Sequence, residues 1–534
     1  MKNIKYLLLS AILVAFTACS DDDNDYNPAP EPLPELTAGS VDFSNYVAVG
    51  ASFSAGFTDN ALFATAQEYS FPNILAETFM NVGGSEFSQP LMSDNIGGFL
   101  VNGNVASAPR LFFNGSRPQV LPATPTTEIN SHLSGPFNNY GIPGAKSFHL
   151  GIPGYGSLNP YFGRMASSAT ATVLGDAVAQ NATFFTLSEI GGNDVLAYAT
   201  SGGTGVYQLG NFNPATYGSN DITDPNVFAA SFKSAVTALT SNGAKGAVAN
   251  VPYITNLAHF TTVPHNPLNP TNPSFGPQIP LLNSIFGALN QIFAQVDASR
   301  VIVFSETAAS AVVIKDESLN DIAPIIRGAL MASPTFPAFI AQFGLPAEAA
   351  PLVANLLAVT YGQARQATAD DLLVLPSSTI IGTVNTDSVA ALMAQGLSQA
   401  LAGQFSVEGV TLPLADKWVL IPSEQADIKS ATDAYNQSID AIATEFDLAT
   451  VDFKSILQTA STTGFSDGNY IFTTALVQGG LISLDGVHLT SRGYAVMANE
   501  FLKAIDAKYG SNFVAAGYKV DPGDYPTNYS KDFR

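Results

Sequence analysis

Short apolar runs at residues 46–49, 183–187, 247–251, 301–304 and 449–453 each stop at polar or glycine-rich residues, and segments with helical periodicity follow them. Runs this short and this apolar suit strands buried on both faces. Strands that alternate with helices pair in parallel, because a parallel neighbour is reached only through a crossover. The pattern therefore predicts an α/β fold with a mostly parallel sheet and places candidate sites at the strand ends. Two amphipathic helices are expected late in the chain. One spans about residues 424–446, with Ile428, Tyr435, Ile439, Ile442 and Phe446 on one stripe and Ser423 as its N-cap. The other spans about residues 491–507, with Tyr494, Met497, Phe501, Leu502 and Ile505 on one side.

Two stretches break this rhythm. Residues 203–230 are polar and rich in Gly and Asn, which predicts a long loop. Residues 310–415 are rich in Ala and Leu, and between Gly328 and Ala364 the only charge is Glu348. Pro334, Pro337, Pro346 and Pro351 keep every apolar span there below membrane-crossing length. The stretch reads as several short apolar helices inserted into the fold, either as core or as a lid or apolar binding wall. Charged residues make up 12% of the chain, against a usual share of roughly 25%. Disordered and coiled-coil chains need more charge than this. With 43 acidic against 21 basic residues the net charge is −22, and no segment supplies the basic footprint that nucleic acid requires.

The first residues bear on the compartment. Lys2 and Lys5 precede an apolar run at residues 6–18 that is too short to span a bilayer. The run ends in Phe16-Thr17-Ala18-Cys19, and Cys19 is the only cysteine of the chain. This resembles the signal of bacterial lipoproteins, which implies cleavage after residue 18 and a lipid anchor at Cys19, on an exported protein of the outer membrane. With that thiol acylated, the folded part holds no disulfide. Ser20-Asp21-Asp22-Asp23 then reads either as a surface-export signal or as a solvated linker. Residues 24–40, with Pro28, Pro30, Pro32 and Pro34, read as an extended tether.

Four segments carry candidate chemistry. Gly50-Ala51-Ser52-Phe53-Ser54-Ala55-Gly56 follows the run 46–49 and puts a hydroxyl at a strand end, where backbone N–H groups favour a developing anion. Taken alone, such a turn is more often a helix cap. Asn139-Tyr140-Gly141-Ile142-Pro143-Gly144-Ala145-Lys146-Ser147 does not fit GxxxxGK[ST], so it is no phosphate loop; it reads as a turn whose glycines let a backbone N–H face a site. Glu189-Ile190-Gly191-Gly192-Asn193-Asp194 turns sharply after the run 183–187 and frees the Asn193 amide to donate. A hairpin turn is the competing reading. Finally, Leu484-Asp485-Gly486-Val487-His488-Leu489-Thr490 precedes the last helix. Of the histidines His132, His149, His259, His265 and His488, only His488 has a carboxylate three residues before it with a Gly between. Asp485 can then accept from one ring nitrogen and leave the other facing a nucleophile. No second His or Cys lies at metal-ligand spacing nearby.

In this order, strand–GxSxxxG, NxGxPG, GGND and DGVHLT together resemble the SGNH (GDSL-type) esterase and lipase family. The four residues that define the family fall on Ser52, Gly144, Asn193 and His488, with Asp485 completing a triad. Asn250-Val251-Pro252, the segment Ala415-Asp416-Lys417-Trp418-Val419-Leu420 and the helix from Glu424 resemble a lipoprotein subgroup of it. One departure is plain: the family usually carries Asp immediately before the nucleophile, and here that residue is Ala51. A GxSxG elbow, the mark of the α/β-hydrolase scaffold, is absent.

The resemblance implies a three-layer α/β/α sandwich, flavodoxin-like, as one domain over residues 41–534. It would carry the loop insertion near 203–230 and the helical insertion near 310–415. Length alone would suggest about three domains, but the motifs run from Ser52 to His488 and require both ends of the chain in one domain. The implied activity is hydrolysis of carboxylic esters through an acyl-enzyme. Ser52 is the nucleophile, His488 the base and Asp485 its partner, with Ser52 and Gly144 N–H and the Asn193 side chain as oxyanion donors. No metal or organic cofactor is implied. Acyl lipids or other carboxylic esters are the expected substrates; removal of acetyl groups from glycans is the alternative activity, and a noncatalytic surface-binding lipoprotein the alternative class.

Overall fold

The computed structural model describes residues 32–534. The signal at residues 1–18, Cys19 and the acidic cluster lie outside the described residues. The end of the expected tether is docked rather than free: Thr37 N–H donates to Asn512 Oδ1 (2.7 Å), Asn512 Nδ2 to the Glu35 carbonyl (2.9 Å) and Ser40 N–H to the Tyr509 carbonyl (2.9 Å). Among the described residues no helix is long and apolar enough to cross a membrane.

Strands β1 (Tyr46–Gly50), β2 (Asn139–Gly141), β3 (Phe184–Leu187), β4 (Lys245–Ala249) and β5 (Ala449–Val451) form one parallel sheet in the order β2-β1-β3-β4-β5. The helices that bear on the site are α1 (Phe71–Phe79), α2 (Asn193–Thr200), α3 (Pro225–Thr240), α4 (Ile279–Val296), α5 (Pro422–Glu445), α6 (Phe453–Thr462) and α7 (Ser491–Tyr509). β1 and β3 are buried along their whole length, which is why they read as continuous apolar runs. On one face of β3, Phe184 meets Phe79 of α1 and Tyr509 of α7. Its neighbour Phe185 points to the other face and fills the space over Gly246, where a Cβ would lie 2.4 Å from the ring. Both faces are therefore covered by helices, and small antiparallel ribbons and further helices decorate this frame. From β1 the chain goes to β2 on one side and later to β3 on the other. The order reverses there, opening a crevice at the carboxyl ends of β1 and β3.

The two expected amphipathic helices are α5 and α7. α7 buries Tyr494, Met497, Phe501, Leu502 and Ile505; Thr490 caps it by accepting from Gly493 N–H at 2.9 Å. α5 buries Ile428, Tyr435, Ile439 and Ile442, and stacks Tyr435 on Phe228 of α3 at 4.3 Å. Its cap is not Ser423. The helix starts at Pro422, and Glu424 Oε2 reaches back to accept from Ile421 N–H at 2.8 Å.

Three further readings need correction. Residues 301–304 are not a strand: the N–H groups of Ile302 and Phe304 donate to the side chains of Asn290 and Asn283, at 2.9 Å each, so two asparagines of α4 do what a neighbouring strand would do. The remaining sheet strand is instead β2, which lies inside the segment read as a turn and is too short to show a period. The polar stretch at 203–230 stops being loop at Asp224, whose carboxylate accepts from Asn226 and Val227 N–H and opens α3 behind Pro225.

The apolar insertion is wider than residues 310–415. A separate hydrophobic cluster draws on residues from Val263 to Ile421, including Phe286 of α4, Phe304, Ile314, Tyr361 and Leu414. Arg365 lies within it, paired to both Asp316 (2.6 Å) and Asp371 (2.6 Å). The insertion thus has its own core, and polar pairing holds its ribbons together.

Candidate active site

Ser52 stands at the carboxyl end of β1, 7% exposed, at the start of a single helical turn, Ser52–Ala55. That turn lies flat on β2. Asn139 Nδ2 donates to the Ser54 carbonyl (2.8 Å), and a Cβ on Gly141 would come within 2.3 Å of Ala55 N, so only glycine fits.

The loop that carries Asp485 and His488 arrives from the other end of the chain. Gly486 adopts a φ of +78° and donates its N–H to the Ser483 carbonyl, closing a tight turn that brings Asp485 under His488. His488 Nδ1 is 2.9 Å from Asp485 Oδ2, and His488 Nε2 is 3.0 Å from Ser52 Oγ, across 436 residues of sequence. Asp485 Oδ1 accepts from Val487 and His488 N–H (2.8 Å each), and Oδ2 also accepts from Asn60 N–H (2.8 Å). Burial alone would raise the Asp485 carboxyl. The His488 imidazole and the N–H groups of Val487 and His488 outweigh it and hold the carboxyl well below its usual range, so it is an anion. The Phe57 ring lies 4.5 Å from the imidazole and shields it.

The other two predicted site residues sit on adjoining loops. Asn193 begins α2 after β3, and its Nδ2 donates to the Ala145 carbonyl at 2.9 Å, fixing it beside the Gly144 turn. One amide hydrogen is spent in this way and the other remains for a ligand. Gly144 has a φ of +79°, which its lack of a Cβ permits. Among the described residues neither the Ser52 nor the Gly144 N–H meets an acceptor. Asp194 locks the two loops together: buried beneath them, its carboxylate accepts from Ser147 N–H (2.9 Å) and Ser147 Oγ (2.8 Å).

A cavity opens beside Ser52 and Asn193. Its walls are apolar: Phe53, Leu196, Ile254, Leu257, Ile456, Leu457 and, from α7, Val496 and Met497. They come from α2, the segment after β4, α6 and α7. No residue of 310–415 lines it, so that insertion is not the apolar wall of this cavity. The insertion instead approaches the back of the Asp485–His488 loop, where a Cβ on Gly486 would lie 3.0 Å from Leu375.

Sequence reasoning missed the roles of Glu189, Asp194 and Asn60. The Glu189 carboxyl lies part-buried at the end of β3 and accepts from the Ser52–Ala55 turn. Burial raises it to about 7, although the N–H groups of Ser54 and Ala51 pull it back. A charge between a buried strand and Ile190, in a chain so poor in charges, was the available signal. Nothing local marks Asn60, which acts through its backbone.

The described residues contain one carboxylate cluster with metal-like spacing, Glu317, Asp416 and Glu424, whose oxygens lie within 4.8 Å of one another. It belongs to the junction between the insertion and α5. Burial and mutual repulsion raise Asp416 and Glu424, so protons offset the crowding of charge there.

Known protein families, curated proteins and solved structures contain no match to this chain. The chemical content of the site rests on its geometry. A hydroxyl is hydrogen-bonded to an imidazole, the imidazole to a buried carboxylate, and unpaired donors sit on adjoining loops beside an apolar cavity. Such an arrangement can activate a nucleophile and stabilise an oxyanion.

Proposed function

We propose that the chain is a serine hydrolase that cleaves carboxylic esters through an acyl-enzyme. The observation that carries this reading is the continuous chain Ser52 Oγ–His488–Asp485, at 3.0 and 2.9 Å. His488 Nε2 takes the Ser52 proton as Oγ attacks the ester carbonyl, and the imidazolium formed is held by Asp485. The same proton passes to the leaving alkoxide. Water, deprotonated by His488, then attacks the acyl carbonyl, and the imidazolium returns the proton to Ser52 Oγ as the acid leaves. The Ser52 and Gly144 N–H groups and the Asn193 amide receive the oxyanion; one such donor contributes about 2.7–4 kcal/mol in comparable sites.

The sheet order and the placement of Ser52, Asn193 and His488 support reading the fold as a flavodoxin-like three-layer sandwich of the SGNH type. The apolar lining of the cavity favours an ester with an aliphatic acyl group over an acetylated glycan, which would call for a polar cleft. The N-terminal pattern supports an exported lipoprotein held to the outer membrane through Cys19.

Hydrolysis of p-nitrophenyl esters from acetyl to palmitoyl, by wild type and Ser52→Ala, tests the reading. Turnover lost in Ser52→Ala, with an optimum above butyryl, is expected. A folded wild type with no turnover at any chain length overturns it.

A further inference from the structure

The turn that carries Ser52 lacks a cap of its own. Ala51 occupies the N-cap position and has no side chain to offer the free N–H groups of the first helical turn. Two N–H groups of the turn are nevertheless paired, while that of Ser52 stays free. Glu189 Oε1 accepts from Ala51 N–H (2.5 Å) and Ser54 N–H (2.9 Å), and Oε2 lies 3.1 Å from Ser54 Oγ. Ala51 and Ser54 bracket Ser52, so one carboxyl group grips the nucleophile turn on both sides. Among the described residues these two N–H groups have no other acceptor.

Two features show that the backbone is shaped around this contact. A Cβ on Gly50 would lie 2.1 Å from Ser54 Oγ and 2.7 Å from Glu189 Oε1, so a glycine at the end of β1 makes the room in which the two side chains meet. Glu189 itself has a φ of +48°, in the left-handed region that side chains other than glycine rarely adopt, and such strain concentrates at functional sites. The strain turns Glu189 out of the β3 line and under the neighbouring strand end. The cost is a buried acid, which a merely well-packed strand end would avoid.

We propose that Glu189 is the positioning residue of the nucleophile: as a cap supplied in trans from β3, its carboxyl sets where Ser52 Oγ stands relative to His488 Nε2. This rests on the esterase reading above. Glu189 borders the cavity but makes no hydrogen bond to Ser52 Oγ or His488; it acts through the Ala51–Ser54 turn.

The test uses the full chain and an alkyl fluorophosphonate, which labels an activated serine whatever the natural ester. Glu189→Gln keeps a carbonyl oxygen for the two N–H groups, whereas Glu189→Leu has similar bulk and no acceptor. Thermal unfolding establishes that each variant is folded at the assay temperature. Labelling and p-nitrophenyl butyrate turnover are expected to stay within about tenfold of wild type for Gln. They should fall about 100-fold for Leu, the loss lying in kcat with KM little changed, as displacement of a reacting group on the order of 1 Å produces. Should Leu not fold, Glu189→Asp, which withdraws the acceptor by one methylene, takes its place with the same expectation. A folded Leu or Asp variant that reacts at the wild-type rate, or a folded Gln variant as slow as Leu, overturns the proposal. A wild type that neither labels nor hydrolyses is a different result, which refutes the esterase reading itself.

Discussion

The backbone N–H of Asn60 donates to the same Asp485 oxygen that faces His488, at 2.8 Å. Asp485 therefore answers four donors at once: the N–H groups of Asn60, Val487 and His488, and the imidazole Nδ1. A residue after β1 and a residue before α7 are fixed to one another by the carboxylate that faces the His488 imidazole.

Replacing Asp485 by Asn leaves one oxygen for four donors and turns an amide donor toward at least one of them. Hydrolysis should fall by about 10⁴, the scale on which a triad acid acts through imidazole orientation. Steady-state rates on p-nitrophenyl butyrate, with unfolding curves beside them, check this. Activity near wild type would remove Asp485 from the mechanism.

Leu196 is half-buried on α2 and lines the cavity beside Asn193. Leu196→Trp should shorten the preferred acyl chain while sparing acetyl and butyryl esters. Each methylene excluded forfeits about 0.8 kcal/mol of burial, so three excluded carbons should lower the palmitoyl-to-butyryl kcat/KM ratio by well over tenfold. An unchanged chain-length profile would mean that acyl chains bind elsewhere.

Glu189 has a sign that can be worked out. Burial raises its carboxyl from about 4.5 to about 7, so between those values the folded protein holds a proton that the unfolded chain has released. Stability from this group is therefore greatest below about pH 4.5 and is lost as pH rises through 7, by roughly 3 kcal/mol in all. Glu189→Gln cannot titrate and should show a flatter decline between pH 5 and 8 in denaturant melts. Asp59, raised to about 7 by burial in the same way, keeps its share of the slope in both proteins. Superimposable wild-type and Gln curves would show that Glu189 is not held neutral by the fold. Asp485 works in the opposite direction: its depressed carboxyl supports the fold above about pH 4, and that support drains away as pH falls below it.

Much of the frame was legible in the linear chain because it depends on local pattern. β1 and β3 show as apolar runs since both their faces are buried, and α5 and α7 show their stripes because each has one wet side. Where the partner was unusual, pattern misled. Residues 301–304 have the composition of a strand, yet their backbone is met by Asn283 and Asn290 of a helix. β2 was hidden because three residues carry no period, and the insertion could be read as core or as a wall of the site because low charge marks burial without saying against what.

The sequence by itself determined the types and order of the groups at the candidate site: a glycine-flanked Ser52 after the first strand, Gly144, Asn193, and Asp485 three residues before His488. Those are local spacings, and local spacing survives in one dimension. Only the tertiary structure decided what holds each group in place. Asn60 grips Asp485, Asp194 ties Ser147 to the Asn193 turn, and Glu189 accepts from Ala51 N–H, 138 residues away, in place of the side chain that Ala51 lacks. These are hydrogen bonds between groups that the sheet brings together from distant parts of the chain. A hydrogen bond acts over about 3 Å of space whatever the length of chain between its partners, so no pattern along the chain records it.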